Sequence, residues 1–133
     1  MDKIDLLISY LFAIQAFAKD IHYSAKGEAF YSKHLLADEV YKGINEQIDA
    51  LIETCIMPYY VVRISYFWNI AKDLTPELTD DDNINFSKLR HLCDKTCGLI
   101  NDIEITSNAE QALVDDIAKD LARKLGLITR QVG

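Results

Sequence analysis

The sequence predicts an all-α fold, a four-helix bundle with a long crossover between helices two and three. Two observations carry this. Apolar residues recur at three- and four-residue spacing along nearly the whole chain. The predicted segments are joined by a tight turn, then a long link, then another tight turn. The composition is that of one compact domain, 1–133: 50% of the residues are apolar, and only 5 Gly and 2 Pro interrupt them.

The first segment repeats at Ile4, Leu7, Ile8, Leu11, Ile14, Ala18, Ile21 and Ala25, and Gly27 is a natural stop. The second is predicted as one helix from about Phe30 to Met57, with Ala37, Val40, Ile44, Ile48, Leu51 and Cys55 on its apolar face and Pro58 ending it. At about 1.5 Å per residue it is roughly 40 Å long. A linker is predicted from Tyr59 to about Asn83. Its first part, Tyr59 to Ile70, is apolar and aromatic and fits a short helix or an extended segment; Thr75 to Asp82 reads as loop. A third helix carries Phe86, Leu89, Leu92, Cys93, Thr96, Leu99, Ile100 and Ile103. The fourth opens on Ser107-Asn108-Ala109-Glu110, a capping box, continues through Leu113, Ile117, Leu121 and Leu125, and meets a candidate stop at Gly126. A chain that crosses the bundle between its second and third helices has ferritin-like connectivity rather than simple up-down order.

Several function classes are disfavoured. The net charge is -7, and an acidic chain is a poor general binder of nucleic acid, whose phosphates need clustered Lys and Arg. No apolar run is long enough to span a bilayer, and the opening residues show no basic signal region, so a cytoplasmic protein is expected. Cys55, Cys93 and Cys97 are an odd set and read as free thiols packed in the core.

The chemistry concentrates between His22 and Glu53. His34 and Asp38 are four residues apart, as are Asp49 and Glu53, so each pair shares a helical face. Imidazole and carboxylate together suit iron, zinc or manganese. On one continuous helix the two pairs share a stripe, yet Asp38 and Asp49 are separated by roughly 16 Å of rise. One helix therefore cannot bring both pairs to one metal. The pairs are mirror images about the midpoint between residues 43 and 44. A two-fold-related antiparallel copy therefore sets Asp38 opposite the second copy's Asp49, and His34 opposite its Glu53. Gly43 falls at the crossing, where a missing side chain permits close approach, and Leu35, Ile52 and Ile56 lie beside the stripe to seal it. The hairpin after Lys26-Gly27 returns His34 toward His22. Singly, His22 reads as a core histidine, and Asp38, Asp49 and Glu53 as solvated carboxylates. Phase, mirrored spacing and the central glycine together favour the ligand reading.

These residues resemble the ferroxidase signature of the Dps family, the DNA-protection-during-starvation proteins. The opening His-aromatic-x-x-Lys-Gly matches at His22, Tyr23, Lys26 and Gly27, and Phe30, His34, Asp38, Asp49 and Glu53 follow without a gap. The specific match covers about a quarter of the chain; beyond it, the resemblance rests on helix length and pattern. It implies a dodecamer, a hollow shell of four-helix subunits, with a short helix after Pro58. It further implies oxidation of Fe(II), typically by hydrogen peroxide, and storage of Fe(III) mineral, which consumes both reagents of hydroxyl-radical formation. His22, His34 and Asp38 would act as iron ligands and catalytic residues from one subunit. Asp49 and Glu53 would complete the site from its two-fold partner, with Glu53 a bridge between two metals. The chain departs from the family in having Tyr23 where Trp is usual. It also lacks a Lys-rich arm before its first helix, so DNA binding is not carried over. The Glu-x-x-His motif of ferritins proper, which builds a site within one subunit, does not occur. The alternative expectation is a helical oligomer that holds zinc or manganese at the same residues without turnover.

Overall fold

The computed structural model describes residues 2–105 and 107–132, and among these the regular structure is helical throughout. The helices are α1 (Lys3–Ser24), α2 (Phe30–Tyr41), α3 (Ile44–Leu51), α4 (Ile64–Leu74), α5 (Asp82–Asn101) and α6 (Asn108–Val132), with a π-helical turn at Ile52–Ile56 extending α3. Among the described residues no helix is long and apolar enough to cross a membrane.

α1 is the central rod. Asp2 caps it by accepting from the Ile4 amide at 3.0 Å. It packs on α2, α3, α4 and α5, and a helix with neighbours on several sides must be apolar around a wide arc. Leu7, Ile8, Leu11, Ile14, Phe17 and Ile21 accordingly have no exposed surface. Each such side chain contributes about 1.5–3 kcal/mol of transfer free energy.

Side-chain ties fix the directions of the rods. Lys3 Nζ donates to the Asp102 carbonyl at 2.8 Å, while the Lys26 amide donates to Asp82 Oδ2 at 3.2 Å, so α5 runs antiparallel to α1. Arg123 pairs with Glu39 at 2.9 Å and Gln47 donates to Asp120 at 2.8 Å, so α6 runs antiparallel to the α2–α3 rod. The chain therefore goes up, down, crosses back up, and then goes down and up again. The return is the predicted crossover. It contains α4, which lies along α1 with Trp68 edge-on to Phe12 at 6.5 Å. Of the apolar half of the linker, Tyr59 to Arg63 is non-helical and the helix begins only at Ile64.

Asp81 caps α5 by accepting from the Asn83 and Ile84 amides. The Glu110 amide donates to Ser107 Oγ at 3.4 Å, one half of the expected capping box. Gly126 does not stop the last helix, which continues to Val132 because Ile128 is fully buried and holds the extra turn against the core.

The main departure concerns the second rod, expected as one helix from Phe30 to Met57. It breaks after Tyr41. Lys42 is extended and Gly43 is left-handed, with φ +80°. Glycine reaches that region without a Cβ penalty. The break frees the Lys42 carbonyl, and the fully buried Lys124 reaches it, donating at 3.0 Å. The same ammonium pairs with Asp120 at 2.7 Å. Asp120 also accepts from Gln47 and Arg123. A second irregularity follows at once: the Met57 amide bonds the Ile52 carbonyl at 2.8 Å, the i to i+5 pattern of a π turn.

Candidate metal centre

The five candidate ligands fall into two groups. His22 ends α1, and His34 and Asp38 stand one turn apart on α2; all three are half-buried. Asp49 on α3 and Glu53 in the π turn are exposed, on the far side of the Lys42–Gly43 break. Among the described residues of a single chain, no three His, Cys, Asp or Glu side chains converge as a group able to hold a metal ion.

The two histidines do meet, as the hairpin predicts. Their rings stack with centroids 3.6 Å apart and planes 25° apart. His22 Nδ1 lies 3.0 Å from the His34 carbonyl oxygen, and His34 Nδ1 lies 3.0 Å from the His22 carbonyl oxygen. A carbonyl oxygen only accepts, so each Nδ1 must carry the proton and donate. In the neutral rings both Nε2 atoms then keep a lone pair. This is the arrangement a metal-binding histidine needs: one nitrogen oriented by a backbone acceptor, the other available as ligand.

Aromatic side chains enclose the pair. Tyr23 meets His22 edge-on at 5.4 Å, Tyr41 meets it edge-on at 5.5 Å, and Phe30 lies 5.4 Å from His34. Tyr23, at the position where the resembled family usually has Trp, is 77% exposed and so borders the site without being packed into it. Tyr41 was not among the sequence candidates. The Asp38 carboxylate beside it, together with burial, pushes its phenol up to about 12. The signal for it was present: Tyr41 is three residues after Asp38 and so on the same helical face.

The turn between the two histidine helices is tight. Gly27 has φ +77° and Ala29 has φ +61°. A left-handed alanine costs about 1 kcal/mol, and this one directly precedes α2. Lys33 and the buried Asp82 brace the same turn, paired at 3.0 Å, with Lys33 also donating to the Lys26 carbonyl at 3.2 Å.

One expectation about the residues beside the site changes. Ile52 and Ile56 were expected to seal an interface beside the carboxylates, but each is only 7% exposed because it packs into the core of its own chain. Ile52 stands four residues after the buried Ile48 and Ile56 four after that, so both lie on the inner face of the rod, while Leu35, at 46% exposure, remains outside. Gly43, expected at a crossing between two copies, also has a reason within its own chain to be glycine: its φ is left-handed, while a Cβ there would meet nothing within 4 Å of the same chain. The third histidine, His91, is exposed on α5 and lines a separate cleft with Ser87, Arg90 and Asp94. The cysteines are free, Cys93 buried and Cys55 and Cys97 half-buried.

No protein-family model matches the chain, and neither a curated protein nor a solved structure matches it.

Proposed function

We propose that this chain is a ferritin-like subunit of the Dps type, a ferroxidase that oxidises Fe(II) with hydrogen peroxide and stores the Fe(III) product as mineral inside a hollow homo-oligomer. The observation that carries the reading is the reciprocal pair of His22 and His34, in which both Nδ1 atoms are held by backbone carbonyls and both Nε2 atoms are left as acceptors. A pair of core histidines would need no such matched orientation. Asp38 supplies the carboxylate of the same half-site. Asp49 and Glu53 of a two-fold partner supply the rest, and their exposure is what that role requires.

The exposed apolar surface supports an oligomer. Tyr59, Tyr60, Val61 and Trp68 are each more than half exposed, in and around the crossover, and large exposed apolar patches mark association surfaces. In the proposed reaction two Fe(II) ions each give one electron to hydrogen peroxide, which takes up two protons and leaves as two waters. Iron is the substrate. The imidazoles and carboxylates bind and orient it and hold its charge.

The test is anaerobic Fe(II) loading followed by a peroxide pulse, read by absorbance alongside sizing of the particle. Rapid Fe(III) formation that stays soluble in a large particle is expected. Metal bound without oxidation would instead favour the zinc- or manganese-binding oligomer, and no binding at all would reject both readings.

A further inference from the structure

α5 carries Ser87, Arg90, His91 and Asp94 at the spacing i, i+3, i+4 and i+7, which is one face of the helix. α6 packs along α5 and brings Leu125 and Thr129 to the same place. These six residues line a cleft of about 420 Å³, and none of the five candidate metal ligands is among them.

The cleft is rich in donors. Arg90 offers the N–H fork of its guanidinium, Ser87 and Thr129 their hydroxyls, and His91 at least one ring N–H in either protonation state. Among the described residues, no ion pair engages Arg90, and neither its guanidinium nor the two hydroxyls enter a side-chain hydrogen bond. Arg123 on α6, by contrast, bonds both Glu39 and Asp120. Asp94 is one turn after Arg90, yet it stays exposed and forms no pair with it. Arg90 itself is half-buried. A guanidinium keeps its charge at every ordinary pH, so holding it partly out of water without a counter-charge costs free energy that an anion would offset.

A cation is poorly served here. It would find only His91 and Asp94 as ligands, with the charge of Arg90 beside them, and among the described residues no third His, Cys, Asp or Glu joins the group. An anion meets a planar fork able to bond two oxygens at once, and hydroxyls from both helices. An adjoining cleft of about 680 Å³ shares Ser87 and His91 and adds Ile84 and Leu92 as apolar wall.

We propose that the α5–α6 cleft binds an oxyanion of the phosphate class: Arg90 carries the counter-charge, Ser87, His91 and Thr129 donate, and the exposed Asp94 weakens the affinity. The site does not rest on the iron reading.

The experiment titrates inorganic phosphate into the assembled, iron-free protein. Binding is read by calorimetry, and the His91 ring is followed by histidine-selective NMR. Saturable binding is expected, with the His91 signals moving along the same curve. Arg90→Gln should weaken it by about tenfold or more with helicity unchanged. Asp94→Asn, at an exposed position, should tighten it about two- to fivefold. Phenyl phosphate separates the sources of such an anion. Affinity equal to that of inorganic phosphate assigns the site to the free ion; tighter binding that Arg90→Gln still abolishes assigns it to a monoester whose body lies over Ile84 and Leu92. No saturable binding in the parent, or parent affinity in Arg90→Gln, would overturn the proposal. Weaker binding in Asp94→Asn would overturn it too, by showing that the carboxylate supports the site rather than opposing it.

Discussion

Lys124 Nζ donates to the Lys42 carbonyl oxygen at 3.0 Å, across the bundle from α6 to the point where the second rod breaks. The lysine is fully buried, and Asp120, one turn before it, supplies its counter-charge at 2.7 Å. Removing one member of such a pair leaves the other desolvated and alone, which is more damaging than removing both. Asp120→Ala should therefore destabilise the fold by about 2–3 kcal/mol, at the low end for a buried pair because Asp120 keeps some solvent contact. Lys124→Met combined with Asp120→Ala should recover much of that loss. Urea denaturation of the single and the double variant checks the order; a double variant no more stable than Asp120→Ala alone would contradict it.

The same cluster makes stability depend on acid. Burial pushes the Asp120 carboxyl up, but hydrogen bonds from Lys124, Gln47 and Arg123 outweigh it and hold the group below its ordinary 3.8. A depressed folded-state value stabilises the fold above the unfolded-state value, and this is lost as pH falls through the folded one. The parent should lose stability as pH drops below about 3.8, and the gap between parent and Asp120→Asn should narrow over that window. Denaturation curves at neutral pH and in acid measure it; a gap that widens in acid would reverse the sign.

Gly43 offers a test of conformation against space. Its left-handed φ predicts that Gly43→Ala costs about 1 kcal/mol although nothing blocks the methyl group. Gly43→Asn should cost less, since asparagine tolerates that region. Should both variants instead abolish assembly equally while the monomer stays folded, contact with a second copy governs the position.

The histidine pair predicts a spectroscopic outcome. Both His22 and His34 should show the Nδ1-protonated neutral tautomer in nitrogen NMR of the metal-free protein. His34→Ala and Glu53→Ala should each abolish rapid iron oxidation with helicity retained. Oxidation at the parent rate in either variant would mean the wrong residues have been assigned.

Cys93 should be inert. It has no exposed surface, and burial followed by the neighbouring Cys97 pushes its thiol up to about 12. The thiolate is the reactive form. Alkylation in native conditions near neutral pH should therefore spare Cys93, and denaturant should expose all three cysteines. Native labelling of Cys93 at the rate of an open thiol would show that α5 unpacks.

Much of this was legible in the sequence because helices and their turns announce themselves locally. The period of α1 and the Lys26-Gly27 turn were enough to bring His22 toward His34. The link after Pro58 was long enough to require a crossover. The break at Gly43 was not legible, since a glycine inside a helical period looks the same whether the helix passes through it or stops. Lys124 did leave a signal: it stands three residues after Leu121 and four before Ile128, inside the apolar stripe of α6, where a lysine is anomalous unless something buried awaits its charge. Tyr41 left one too, by its spacing from Asp38, but an aromatic at helical spacing reads first as packing.

The π turn at Ile52–Ile56 gives the chain length it can hand back. Such a turn holds about one residue more than an α-helical turn. Excising a residue between Glu53 and Ile56 would let the backbone close into ordinary helix without leaving a gap. The closure would turn Glu53 relative to Ile56, since two α-helical steps of about 100° would replace three shallower π-helical ones. The bearing of this carboxylate is thus a matter of local winding as much as of position in the chain, and a protein one residue shorter here would keep the glutamate in name while aiming it elsewhere.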